Sequence, residues 1–82
     1  MKTTKRQLLS LTRKAQKLQI KDCGKHSVEI NLRLDDKGKE LYVWIIIKSE
    51  EDYLHFNFYP FWSPERNEAQ LQTMAAILNI SI

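Results

Sequence analysis

A chain of 82 residues makes one small domain, 1–82, and at that size it buries too little surface to be more than marginally stable. A hydrophobic fraction of 43% with two Trp, three Tyr and three Phe argues against disorder. The formal net charge of +3 conceals a split: residues 1–25 hold eight Lys or Arg against one acid, +7, while residues 26–82 hold five against nine, −4. Clustered positive charge attracts anionic partners in a way that scattered charge does not.

The longest apolar run, Leu41 to Ile47, is far too short to span a bilayer, so no membrane partner is expected. The basic start Met1-Lys2-Thr3-Thr4-Lys5-Arg6 is not followed by an apolar stretch, because Ser10, Thr12 and Arg13 break it. No targeting segment is read there. Cys23 is the one cysteine, which leaves nothing to pair with and fits a reducing, cytoplasmic setting.

The first element predicted is a helix over residues 4–21. Thr4 with Gln7 three positions on resembles a capping box, and Leu8, Leu11, Ala15 and Leu18 form one apolar stripe. Arg6, Arg13, Lys17 and Lys21 fall on the opposite side, flanked by Lys2 and Lys14, and Leu9 lies off the stripe. Lys21 and Gly24 signal the helix end.

Three strands are predicted next, over residues 26–34, 40–48 and 53–59. Val28, Ile30, Leu32 and Leu34 alternate with Glu29, Asn31 and Arg33, and Leu41, Val43, Ile45 and Ile47 continue the core face. Asp35 to Lys39 reads as a hairpin loop with Gly38 free to take positive φ, and Ser49 to Asp52 as a polar turn. Leu54, Phe56 and Phe58 alternate with Tyr53, His55, Asn57 and Tyr59. Short connections favour an antiparallel meander with the second strand central.

After the aromatic connection Pro60 to Trp62, Ser63-Pro64-Glu65 starts a helix over 64–79, with Leu71, Met74, Ala75 and Leu78 as its stripe. Leu78, Ile80 and Ile82 return to period two, as a frayed helix end or a short added strand. The fold class expected is therefore α+β, in the order α-β-β-β-α, with both helices packed on one face of a three-stranded antiparallel sheet.

That arrangement leaves the other sheet face to be explained. It carries Tyr42, Trp44, Ile46 and Lys48 on the middle strand and Tyr53, His55, Asn57 and Tyr59 on the last. A half-exposed strand ordinarily alternates more cleanly than Leu41 to Ile47 does. A contiguous patch of Tyr42, Trp44, Ile46, Tyr53, His55, Tyr59 and Trp62 marks an interface for a protein partner or a second copy of the chain. The alternative is that Tyr and Trp sit in strands and cover aliphatic neighbours without binding anything.

The basic face of the first helix, Arg6, Arg13, Lys14, Lys17 and Lys21, allows phosphate contacts, docking on an anionic membrane or acidic protein, or plain solvation. No acid lies between Lys2 and Lys21 to mix the signs. Nucleic-acid binding through this face is the alternative function.

The element order and size resemble the double-stranded RNA-binding domain. The likeness is one of order. Where that family places a Lys-rich block at the start of its second helix, this chain has Pro64-Glu65-Arg66-Asn67-Glu68, and where it has a Gly-Pro-x-His loop, this chain has Asp35 to Lys39 without histidine. The family's RNA binding is not carried over.

Catalytic chemistry is not expected. Cys23, His26 and His55 fall short of the four ligands of a structural zinc, Cys23 and His26 lack an orienting group, and Gly24 and Gly38 stand apart from any phosphate loop. Glu50, Glu51 and Asp52 lack the spacing of a calcium loop. The expectation is a small non-enzymatic accessory or binding protein with no cofactor, no metal and no small-molecule substrate.

Overall fold

The computed structural model describes residues 2–34, 38, 40–51 and 53–80. Its elements are α1 (Lys5–Asp22), β1 (Ser27–Leu34), β2 (Leu41–Lys48), β3 (Tyr53–Phe58) and α2 (Pro64–Leu78), a small α+β fold in the expected order.

The capping box forms at the start of α1. The Gln7 N–H donates to Thr4 Oγ1 (3.1 Å) and the Thr4 N–H to Gln7 Oε1 (2.8 Å), satisfying two N–H groups that the helix itself leaves unpaired. Leu8, Leu11, Ala15 and Leu18 are buried as the spacing requires. Thr12 joins them because its hydroxyl donates to the Leu8 carbonyl at 2.8 Å. The helix runs to Asp22, one residue past the expected end. Cys23 takes the left-handed conformation (φ 54°) and donates its N–H to Ile20, and Gly24 follows with φ 82°.

Asp22 then ties the helix to β1. Its carboxylate accepts from the His26 N–H (2.7 Å) and meets His26 Nδ1 (2.8 Å). Burial pushes its carboxyl up, but the two bonds from His26 and the nearby charges of His26 and Lys25 outweigh that and hold it below the ordinary 3.8. A carboxyl depressed in the folded state stabilises the fold above its unfolded value and ceases to do so as pH falls through the folded one. Asp22→Ala should therefore cost about 2 kcal/mol at neutral pH, the loss of charge-assisted bonds to a buried group. The gap to wild type should narrow in denaturation curves taken below about pH 4.

β2 is central, and both pairings are antiparallel, with Ile45 opposite Ile30 on one side and Phe56 on the other. Val43, Ile45, Ile47, Phe56 and Phe58 face the helices and are buried with the stripes of α1 and α2. At the start of β1, Gln19 Nε2 donates to the Val28 carbonyl (2.7 Å). At its own start, α1 lies beside the residues that follow β3, where Thr3 bonds Pro60 and Trp62. The helix thus crosses the sheet obliquely and leaves the far end of β1 uncovered. Leu32 and Leu34, expected in the core by their alternation, are 53% and 61% exposed.

α2 starts as the sequence predicts, with Ser63 Oγ accepting from the Arg66 N–H (3.2 Å) and Pro64 opening the helix. At its end Asn79 is left-handed (φ 57°), its N–H bonds the Ala76 carbonyl, and the Ile80 N–H bonds Ala75. This is a Schellman closure, with Ile80 packed on the core, so residue 80 ends a helix and does not begin a strand. Ser81 and Ile82, the loop residues Asp35, Asp36, Lys37 and Lys39, and Asp52 lie outside the described residues; Gly38 has the positive φ expected of it (67°). Among the described residues, no helix is long and apolar enough to cross a membrane.

Candidate interaction face

Period-two alternation turns Glu29, Asn31 and Arg33, Tyr42, Trp44, Ile46 and Lys48, and Tyr53, His55 and Asn57 away from the helices. The register places Asn31, Trp44 and Asn57 in one row across the three strands, and Glu29, Ile46 and His55 in the next. The rings lie against one another. Trp44 and His55 have centroids 5.6 Å apart at 18°, and Tyr53 meets the His55 ring edge-on at 4.7 Å. Trp44 Nε1 donates to His55 Nδ1 at 3.1 Å. An indole N–H is only a donor, so His55 Nδ1 accepts here and a neutral imidazole carries its proton on Nε2.

Cations sit over these rings. The Arg33 guanidinium lies 4.1 Å from the Trp44 centroid, and Lys48 Nζ lies 5.4 Å from that of Tyr53. Under this layer Ile46 is only 4% exposed although no helix covers it. It was expected to offer contact area, but its own neighbours already close over it, and it instead forms the floor on which they rest.

A second aromatic group continues the face past the end of β3. Tyr59 packs on Tyr42 (5.5 Å), stacks on Phe61 (4.9 Å) and meets Trp62 edge-on (4.7 Å), with the Arg66 guanidinium 3.8 Å from the Trp62 ring. β3 stops at Phe58, one residue short of the expected strand, because the side chain of Asn67 takes both backbone groups of Tyr59. Tyr59 N–H donates to Asn67 Oδ1 (3.1 Å), and Asn67 Nδ2 donates to the Tyr59 carbonyl (2.9 Å). The second Nδ2 proton goes to Thr3 Oγ1 (2.8 Å), whose own hydroxyl donates to the Trp62 carbonyl (2.8 Å). The Thr3 N–H adds bonds to Pro60 and Trp62, and the Tyr59–Pro60 bond is trans. The aromatic connection is therefore fixed to α2 and to the N-terminal residues at once.

Of the residues the sequence pointed to, Tyr42, Trp44, Tyr59 and Trp62 are half-buried and Tyr53 and His55 exposed, all in this face. Alternation already put Arg33 and Lys48 on this face, and the connection Tyr59 to Trp62 includes Phe61; the stacking of exposed Phe61 on Tyr59 and of Arg33, Lys48 and Arg66 over rings was not legible in the pattern. Arg6, Arg13, Lys14, Lys17 and Lys21 are exposed on α1, away from the aromatic face, and among the described residues none has a carboxylate partner. The structure does not assemble Cys23, His26 and His55: Cys23 is exposed at the end of α1, His26 is held by Asp22, and His55 lies on the outer sheet face. Among the described residues no group of three metal-ligating side chains occurs.

The fold and the face define a small α+β protein whose sheet is covered on one side and aromatic and cationic on the other. No protein family, curated protein or solved structure matches this chain.

Proposed function

We propose that this protein is a non-catalytic binding module that engages a protein partner through its outer sheet face and the connection Tyr59 to Trp62. The observation that carries the reading is the layer of ordered rings on a sheet face without helices, continued by a connection whose backbone the bonds of Asn67 and Thr3 hold in place. Rings fixed before binding lose little freedom on binding, which is why aromatic side chains and Arg dominate contact energies.

The charge on the face selects the occupant. Among the described residues of β1–β3 that face outward, and with Arg66 beside them, Arg33 and Lys48 stand against the one acid Glu29, so two copies meeting face to face would oppose like charges. A partner with an apolar surface and an acidic rim fits better.

A second reading, phosphate contact through α1, is supported by the exposed cations that lack carboxylate partners. One comparison separates the two. Trp44→Ser should cost about 1–2 kcal/mol of stability, from packing lost over Ile46, and weaken partner binding by roughly 30-fold or more, as for a central aromatic contact. Arg13→Glu with Lys17→Glu should leave both nearly unchanged. Binding measured against generic DNA and RNA at two salt concentrations reads out the alternative, since phosphate contacts weaken steeply as salt rises. Loss of nucleic-acid binding in the α1 variant, with Trp44→Ser still binding its partners, would reverse the assignment.

A further inference from the structure

We infer that β1 is the contact strand of a symmetric dimer, in which two copies join edge to edge into one six-stranded sheet. This surface borders the aromatic face and shares Glu29 and Arg33 with it, but it is the strand edge and not the rings that makes the contact. The sheet order is β1-β2-β3, so β1 pairs on one side only among the described residues. An eight-residue strand with an open edge is a template for another strand.

The side chains of β1 say which strand. A two-fold axis makes the contact self-complementary, each residue meeting its counterpart reciprocally. With the axis at Asn31, Glu29 of each copy stands opposite Arg33 of the other on the outer face. On the inner face Ile30 meets Leu32 and Val28 meets Leu34. An axis at Glu29 or at Arg33 sets like charges against each other, and an axis at Ile30 or Leu32 leaves these charges opposite uncharged or like-charged positions. Of the registers in which both charges meet residues of β1, only the one at Asn31 gives each an opposite partner, and cross-strand pairs of opposite charge stabilise an antiparallel ladder while like pairs destabilise it. The other open edge, the six-residue β3, carries no acid–base pair to select a register.

The same contact accounts for the apolar groups that the monomer leaves bare. Leu32 and Leu34 lie on the helix-side face and are more than half exposed. On α1, Gln19 faces β1 through its bond to Val28, whereas Gln7, Ser10 and Lys14 line the cleft toward α2. Leu9 and Ile20 follow Gln19 round the helix on the side away from α2, and both are exposed, Ile20 at 73%. Because α1 reaches β1 at its C-terminal end, a two-fold at Asn31, which sets Val28 opposite Leu34, brings the Ile20 end of α1 toward the bare Leu34 of the other copy and sets the two aromatic faces side by side on the opposite surface.

Sedimentation of the purified chain at micromolar concentration tests this. Wild type should have twice the chain mass. Glu29→Arg and Arg33→Glu should each weaken dimerisation by roughly tenfold or more, because symmetry imposes each like-charge pair twice. An equimolar mixture of the two single variants should recover a dimer, since the reversed charges complement each other across the axis. Thermal melts check that each variant is folded, and Glu29→Arg, which touches no aromatic contact, stands as the test if Arg33→Glu is not. A wild-type chain that stays monomeric, a dimer indifferent to the reversals, or folded single variants that fail to dimerise when mixed would overturn the proposal.

Discussion

Replacing Asn67 by Leu is expected to destabilise the protein by about 3 kcal/mol or more, because it strips several buried polar groups of their partners while keeping nearly the same volume. Asn67 is 0% exposed, and its amide uses both N–H donors and its carbonyl. Leucine leaves the Tyr59 N–H and carbonyl buried without these bonds, and costs Thr3 Oγ1 its donor. In a domain of this size the melting temperature should fall by roughly 15 °C. The Trp62 environment should loosen with it, so that near-ultraviolet dichroism of the aromatic connection weakens already in the native baseline. Thr3→Ala, which loses one side-chain bond to each of Trp62 and Asn67, should cost about 1–2 kcal/mol. Because the two residues share a bond, the double variant should cost less than the sum of the singles. A change within about 0.5 kcal/mol for Asn67→Leu would mean these bonds contribute nothing net and that the connection is held by ring packing alone.

Much of this fold was legible because each element carries its own local signal. Thr4 with Gln7, and Ser63 with Pro64, fix helix starts through bonds made within one turn. Alternation from Val28 to Leu34 and from Leu54 to Phe58 separates two sheet faces whatever the rest of the chain does. What escaped depends on groups distant in the chain. Asn67 lies four residues before Leu71 on the apolar stripe of α2, where a polar residue signals a buried bond, yet its partners Thr3 and Tyr59 cannot be guessed from spacing. The exposure of Leu32 and Leu34 follows from the oblique path of α1, which alternation does not encode. The burial of Ile46 follows from the rings of β2 and β3 and the Arg33 guanidinium of β1 packing together on the outer face. The candidate face was visible as a set of residues; its ordering was not.

The largest single loss from a core truncation is expected at Phe58→Ala, about 3–5 kcal/mol, since the removed ring leaves both its transfer energy and a cavity behind. Phe58 is fully buried, pairs with Val43 on the central strand and is the last residue of β3 before the aromatic connection. A chain of this length has about 4–12 kcal/mol of stability in all, so the variant should lie near the edge of folding and unfold at markedly lower urea concentration. The outer face should respond in the opposite sense. Asn57 is the neighbour of Phe58 along the strand and Trp44 the neighbour of Val43, each turned to the other side of the sheet. Trp44→Ser removes a half-exposed ring and should change binding more than stability, whereas Phe58→Ala should change stability and weaken binding only as far as the folded population falls. Measured on one denaturation and one binding curve each, the two variants test whether a step of one residue along β2 and β3 separates what holds this protein together from what it presents to a partner. If Trp44→Ser proved as destabilising as Phe58→Ala, the outer layer would be a second core and the binding reading would fall with it.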